Sequence, residues 1–321
     1  MPQSYYLGGK VRASDFNLFA NDINDIVGIG ATDSGYGQSH LVVTNAVVGG
    51  SVTASLWDEL LTAMLYAARH QGTTISVPSS TADASWPVIG NLISILPTLT
   101  ADIATIVGNK LNSDIAYMTV TPNQISNLNT FIDPNNGTPT WTSASQVFYE
   151  AKVEFTDTDA RRHFFNSGGE IRFDAVLVPT DASHAQSADW ATMLSAIATV
   201  KLSHTATESS ASVGTPGVGF NNLTTSYTLI YTKGGTGNYS GNQLNIYAKI
   251  NSTTGIDVKM AFDEIYPAKT GTWANPPYSG AWTGTDYVAG VLTVTLDELI
   301  PDDNPLGVNL PSPTYSTISS L

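Results

Sequence analysis

The side chains of this chain that could do chemistry are few, and their spacing rarely suits it. Five histidines stand at His40, His70, His163, His184 and His204, and no two form an i, i+4 pair. That spacing would turn two imidazoles toward one metal from a single helix face. Cysteine is absent, which excludes disulfides and thiolate ligands. Adjacent acids occur at Asp58-Glu59, Asp263-Glu264 and Asp302-Asp303. Neighbours in a strand point to opposite faces, so Asp263 and Glu264 do not make a glycosidase couple by themselves, although a couple drawn from distant segments stays open. Gly28-Ile29-Gly30 opens like a dinucleotide fingerprint but lacks the third glycine and follows a helical pattern where a strand is needed. No G-x-S-x-G elbow occurs, and the Asp133–Gly137 run has its glycine one position early for a calcium loop. The expectation is a protein that is not an enzyme, with no catalytic, cofactor-binding or metal-ligating set and no cofactor.

Two clusters stand out as candidate interfaces. Arg161, Arg162 and Arg172 fall close together in an acidic chain. They suit either a salt bridge to an acidic neighbouring subunit or pairing within the chain to Glu150, Glu154 or Asp174. The second cluster is the Gly/Pro loop carrying Trp273, Tyr278, Trp282 and Tyr287. Aromatics on such a loop stack on sugars, anchor a protein contact, or fold onto their own domain.

The bulk composition narrows the partners. Of 321 residues, 12% are charged, about half the usual share of roughly 25%, and the formal net charge is −14. An acidic surface repels phosphate backbones and anionic lipid, so neither nucleic acid nor membrane is expected as a partner. The N-terminus has no long apolar core of a secretory signal. The most apolar stretch, 88–107, is interrupted by Pro97 and carries Asp102, which makes it a poor membrane span. Synthesis in a cytoplasm without export is expected.

The elements that must position these residues change character along the chain. Phe16, Phe19, Ala20, Ile23, Ile26 and Val27 recur at helical spacing, which predicts a helix over 15–27 capped by Ser14 and stopped at Gly28. Trp57, Leu60, Leu61, Met64, Leu65 and Ala68 predict a second over 56–70, capped by Ser55 and stopped at Gly72. Phe16 and Trp57 hold equivalent places in these two starts, and Val120-Thr121-Pro122 looks like a third start. Residues 87–110 read as helical with a break near Pro97. A turn-rich run at 133–140 then separates a region of period two. Residues 146–157 alternate as a strand, and 161–173 reads as a β-hairpin turning at Asn166–Gly169, which would bring Arg172 near Arg161 or His163. Further strands are expected at 226–232, 243–251, 256–264 and 287–296, with a helix inserted over 188–200. The fold class is α+β: a helical region over 1–140, an antiparallel β-sandwich over 141–300 with one inserted helix, and an extended Pro/Ser-rich tail over 301–321.

The segment Asp159-Ala160-Arg161-Arg162-His163-Phe164-Phe165-Asn166-Ser167-Gly168-Gly169-Glu170-Ile171-Arg172-Phe173 resembles a recurring segment of virion structural proteins from tailed phages, especially those of cyanobacteria and marine bacteria. Ala13-Ser14-Asp15-Phe16-Asn17, Gly35-Tyr36-Gly37-Gln38, Trp57 and His70-Gln71-Gly72 follow in the order seen in those proteins. The likeness covers the first half of the chain and this central segment, and nothing from about residue 205 onward. It implies a particle component of the neck, tail or fibre apparatus, located in the virion. Its partners would be other virion proteins and further copies of itself, with a host surface glycan as a possible ligand of the aromatic loop. It supplies no catalytic residues. A helical region docked on a symmetric ring would repeat one contact many times, so weak contacts would add.

Overall fold

The computed structural model describes residues 11–31, 34–83, 86–87, 94–112, 118–131, 141–142, 147–180, 184–266, 269–273, 280–284, 287–301, 304–307 and 311–320. The chain forms two compact units, each discontinuous in sequence. The first lies within Met1–Thr119, Thr156–Gly169 and Ile300–Ser312; the second within Val120–Phe155, Glu170–Leu299 and Pro313–Leu321. The boundaries read from composition at 140 and 300 treat each region as one continuous stretch. The units instead exchange segments, because the chain leaves the sheet after Phe155, forms a helix of the first unit, and returns at Glu170. No helix of the described residues is long and apolar enough to cross a membrane.

The helical unit is built from α1 (Ala13–Val27), α2 (Ala54–Gln71) and α3 (Leu96–Gly108). The apolar stripes expected from the sequence face its interior: Phe16, Ile23, Leu60 and Met64 are fully buried. Leu99 and Ile106 of α3 join them. The caps differ from expectation. Thr53, not Ser55, receives the Leu56 N–H on its side chain, and α1 starts at Ala13 with no side-chain cap. Gly72 ends α2 in the left-handed conformation at φ 65°, as its position suggested. Pro97 occupies the first turn of α3, where a missing N–H costs nothing, and residues 88–93 of the expected helical stretch lie outside the described residues.

The second unit is antiparallel. It begins with β1 (Met118–Phe131) and β2 (Val147–Glu154). Val120-Thr121-Pro122 was expected to start a helix. It lies in β1, an edge strand, and an edge is where Pro122 is tolerated in a sheet. A larger correction concerns 161–173. Its first part is α4 (Thr158–Asn166) of the helical unit, and only its second part is a strand, β3 (Glu170–Pro179). Asp157 sets this outcome by accepting the Ala160 N–H at 2.8 Å as a helix cap. Gly168 then takes φ 87° and Gly169 donates to the Phe164 carbonyl at 2.7 Å, so the glycines stop a helix where a hairpin turn was expected.

The remaining elements are α5 (Ala185–Ile197), β4 (Val200–Leu202), β5 (Ala206–Ser209), β6 (Thr215–Val218), β7 (Thr228–Gly234), β8 (Gln243–Ile250) and β9 (Gly255–Asp263). They are followed by β10 (Lys269–Trp273), β11 (Gly280–Gly284), β12 (Gly290–Pro301) and β13 (Thr314–Ser319). Among the described residues, eleven strands run in the order β1-β12-β3-β4-β5-β6-β7-β8-β9-β2-β13, and β10 and β11 form a separate two-stranded ribbon. Residues 314–319 are therefore not a free tail: they pair with β2 in the register Thr314↔Glu154. Trp141 packs at 4.8 Å from Trp190 and 5.7 Å from Phe262 in this unit's core.

The period of two along β12 buries Leu292, Val294, Leu296 and then Glu298, which is 1% exposed. Tyr315 of β13 donates its hydroxyl to Glu298 at 2.8 Å. This bond joins the last strand of the order to the second, so the sheet curls back on itself. Burial raises the Glu298 carboxyl from its usual 4.5 to about 7, against the opposing effect of the Tyr315 hydrogen bond. The folded protein thus holds this proton more tightly than the unfolded chain. The associated stability is fully present below about pH 4.5 and is lost as pH rises through about 7. Glu298→Gln should therefore gain about 1–3 kcal/mol over the parent protein at pH 8 and nothing near pH 4.5. Urea unfolding at the two pH values checks this, and an equal difference at both would contradict it.

Candidate functional site

A connected set of buried polar groups lies in the helical unit, and it starts with the exit from α1. The chain turns back after Gly28 and lays its backbone along the helix end. Tyr36 N–H donates to the Ile26 carbonyl at 2.7 Å, Gly37 N–H to Gly28 at 2.8 Å and Gln38 N–H to Val27 at 2.6 Å. These bonds satisfy carbonyls that a helix C-terminus leaves open. Two glycines make the approach possible. A Cβ on Gly35 would stand 2.2 Å from the Gly28 carbonyl oxygen, and Gly37 sits at φ 76°.

This loop delivers Tyr36, 1% exposed, into the interior. Its hydroxyl donates to the Lys110 carbonyl just beyond α3 at 2.7 Å and accepts from Gln71 Nε2 at 3.0 Å. Gln71, the last residue of α2, also donates to the Ile106 carbonyl at 3.1 Å. Burial raises the Tyr36 hydroxyl far above the usual phenol range. The ring stands edge-on to His70 at 5.1 Å and to His163 of α4 at 6.4 Å, and the two imidazoles are 5.3 Å apart. From α4, Asn166 donates to the Gly35 carbonyl at 2.7 Å. Arg162 pairs with Asp159 one helical turn away and lies beside Gly37.

His163 is 3% exposed, and burial, with a smaller effect of His70, lowers it to about 3. Its imidazole therefore stays neutral at ordinary pH. Among the described residues no group of three histidine or acidic side chains could hold a metal ion. The cluster ties the α1 exit loop to the end of α2, to the residues just beyond α3 and to α4 through buried and half-buried partners.

The candidate interface residues are distributed otherwise. Phe16 and Trp57 lie inside the helical unit, edge to face at 5.1 Å, and Trp57 also meets Trp86 at 5.6 Å. Arg162 is buried within the cluster and Arg161 is half-buried on the same helix. Arg172 belongs to the other unit, where it pairs with Glu170 at 2.8 Å, a partner not among those considered from the sequence. Trp273 and Trp282 fall on β10 and β11, and Tyr278 lies outside the described residues. The structure thus brings Arg162 together with Tyr36, His70, Gln71, His163 and Asn166. In the sequence these five stand in the resembling segments, and His70 and His163 also stand among the histidines without metal-ligand spacing. The chain matches no protein-family model, no curated protein and no solved structure.

Tyr36→Phe keeps the ring and removes the hydroxyl. It leaves the Lys110 carbonyl without this donor, so the variant should lose about 1–3 kcal/mol of stability with an unchanged fold. Equilibrium denaturation checks the figure; a variant as stable as the parent protein would mean the hydroxyl holds nothing.

Proposed function

We propose that this chain is a non-enzymatic structural component of a tailed-phage virion, a neck or tail appendage that assembles as a homo-oligomer on a symmetric ring. One observation carries the reading. The segments that resemble phage structural proteins lie far apart in sequence, yet Gly35–Gln38, His70-Gln71-Gly72 and Arg162–Asn166 meet in one buried cluster. The reading is supported by the way three of the resembling pieces depend on one another in the fold. Their chemistry suits a holding role, since the enclosed imidazole of His163 stays neutral and out of reach of solvent.

In this reading the helical unit docks on the ring and contacts repeated by symmetry add through multivalency. The partners are other neck or tail proteins and further copies of the chain, with no nucleic acid or membrane involved. The protein is made in the host cytoplasm and ends in the particle. The curled sheet is taken as a sandwich whose halves face each other across the Trp141 core.

A second reading, a receptor-binding module for host glycan, draws support from the β10–β11 ribbon. Its register pairs Trp282 with Gly271 and Trp273 with Gly280, which sets both tryptophans on one short ribbon.

The test is the native mass of the purified full-length chain together with protein identification in purified particles grown from the genome that encodes it. A defined multiple of 34.0 kDa and a fixed copy number in particles are expected. A monomer absent from particles would overturn the proposal. Retention on host polysaccharide that Trp273→Ala and Trp282→Ala abolish would favour the second reading.

A further inference from the structure

A groove of about 400 Å³ runs between α1 and α3 of the helical unit. Helical spacing puts Asp15, Leu18, Phe19 and Asp22 on one face of α1, and Ile103 and Val107 of α3 form the opposite wall. Leu18 and Val107 are 50% and 41% exposed, so the rim is apolar and open to water. Asp15 is different: it lines the groove, is only 8% exposed, and its Oδ2 has no hydrogen-bond partner. A carboxylate withdrawn from water and left unpaired opposes folding. The positive end of α1 offsets part of this, because Asp15 lies in the first turn, but it supplies no bond to Oδ2. Such a residue is understandable where something outside the chain completes it.

We propose that this groove receives a lysine or arginine side chain carried on an apolar segment of a neighbouring particle protein. The proposal rests on the structural reading above and names the contact chemistry of its docking. The cation meets Asp15 and Asp22, and the aliphatic stem and flanking apolar residues cover Leu18, Phe19 and Val107. Burial and the nearby charge of Asp25 already raise the Asp22 carboxyl, so an added cation relieves a site that is too negative. Another copy of this chain is a poor source of that cation, because the sequence holds 13 lysines and arginines against 27 acids.

The experiment uses the full-length protein and two probes, acetyl-Leu-Arg-Leu-amide and the same peptide with neutral citrulline in place of arginine. Binding is read from the methyl NMR signals of Leu18, Ile103 and Val107. The arginine peptide should shift them saturably, and the citrulline peptide should bind about tenfold more weakly or worse. Asp15→Asn should weaken arginine-peptide binding by a similar factor while its melting temperature equals or exceeds that of the parent protein. Ala104→Phe, placed on the exposed rim, should block the groove without touching the core. No saturable shift, equal binding of the two peptides, or a lowered melting temperature for Asp15→Asn would overturn the proposal. So would self-association lost in Ala104→Phe without peptide binding, which would give the groove to a second copy. Peptide binding is read on isolated protein, so its failure leaves particle incorporation standing, and absence from particles leaves the groove standing.

Discussion

A phenol hydroxyl sealed from water must find its hydrogen-bond partners inside the protein, and the helical unit is arranged so that Tyr36 does. Its two partners come from the ends of two different helices, Gln71 and the carbonyl of Lys110. The backbone beside it is held by Asn166, 131 residues from Gly35 in sequence. An unsatisfied group here would cost about as much as a sizeable fraction of a domain's net stability, which is small. The glycines around Tyr36 follow from the same requirement, because the loop reaches the required depth only by passing close to the α1 backbone.

This constraint bears on how the two units are threaded. The Thr156–Gly169 segment, lying in sequence between two strands of the sheet, is spent on α4, which supplies His163 and Asn166 to the cluster. The second unit holds a comparable device, the Tyr315–Glu298 bond, which joins its last strand to β12. Both devices use a tyrosine hydroxyl at a buried polar position. A chain with few charges obtains specificity this way, since a half-satisfied polar group in a core disfavours other packings.

The sequence made some of this legible and left the rest hidden for physical reasons. Helical stripes at Phe16–Val27 and Trp57–Ala68 and the alternation through Val147–Val153 are local periods, and they read correctly. The curled antiparallel sheet and the five α-helices among the described residues agree with the α+β class. Residues 161–166 misled because Arg-Arg-His-Phe-Phe has no clean period of either kind, and α4 buries five consecutive residues from Arg162 to Asn166. The cap at Asp157 was the available signal. Residues 314–319 misled because a strand that pairs only on one side carries little pattern of its own. Of the site, the pieces were visible as a resemblance while their meeting was not: contacts across 35 to 131 residues leave no local trace. The unpaired state of Asp15 was equally invisible, since at a helix start an acid is ordinary.

The central claim is that the exit loop of α1 and the end of α4 are one cooperative piece. Native-state hydrogen exchange tests it most directly through the amides of Tyr36, Gly37 and Gln38 on one side and those of Ser167 and Gly169 on the other, all engaged in backbone hydrogen bonds. The two groups should exchange with opening free energies that agree within about 1 kcal/mol and fall together when denaturant is added. If the α4 amides exchange through a separate local opening several kcal/mol easier than that of the loop, the two are not held by a common cluster and the account is wrong.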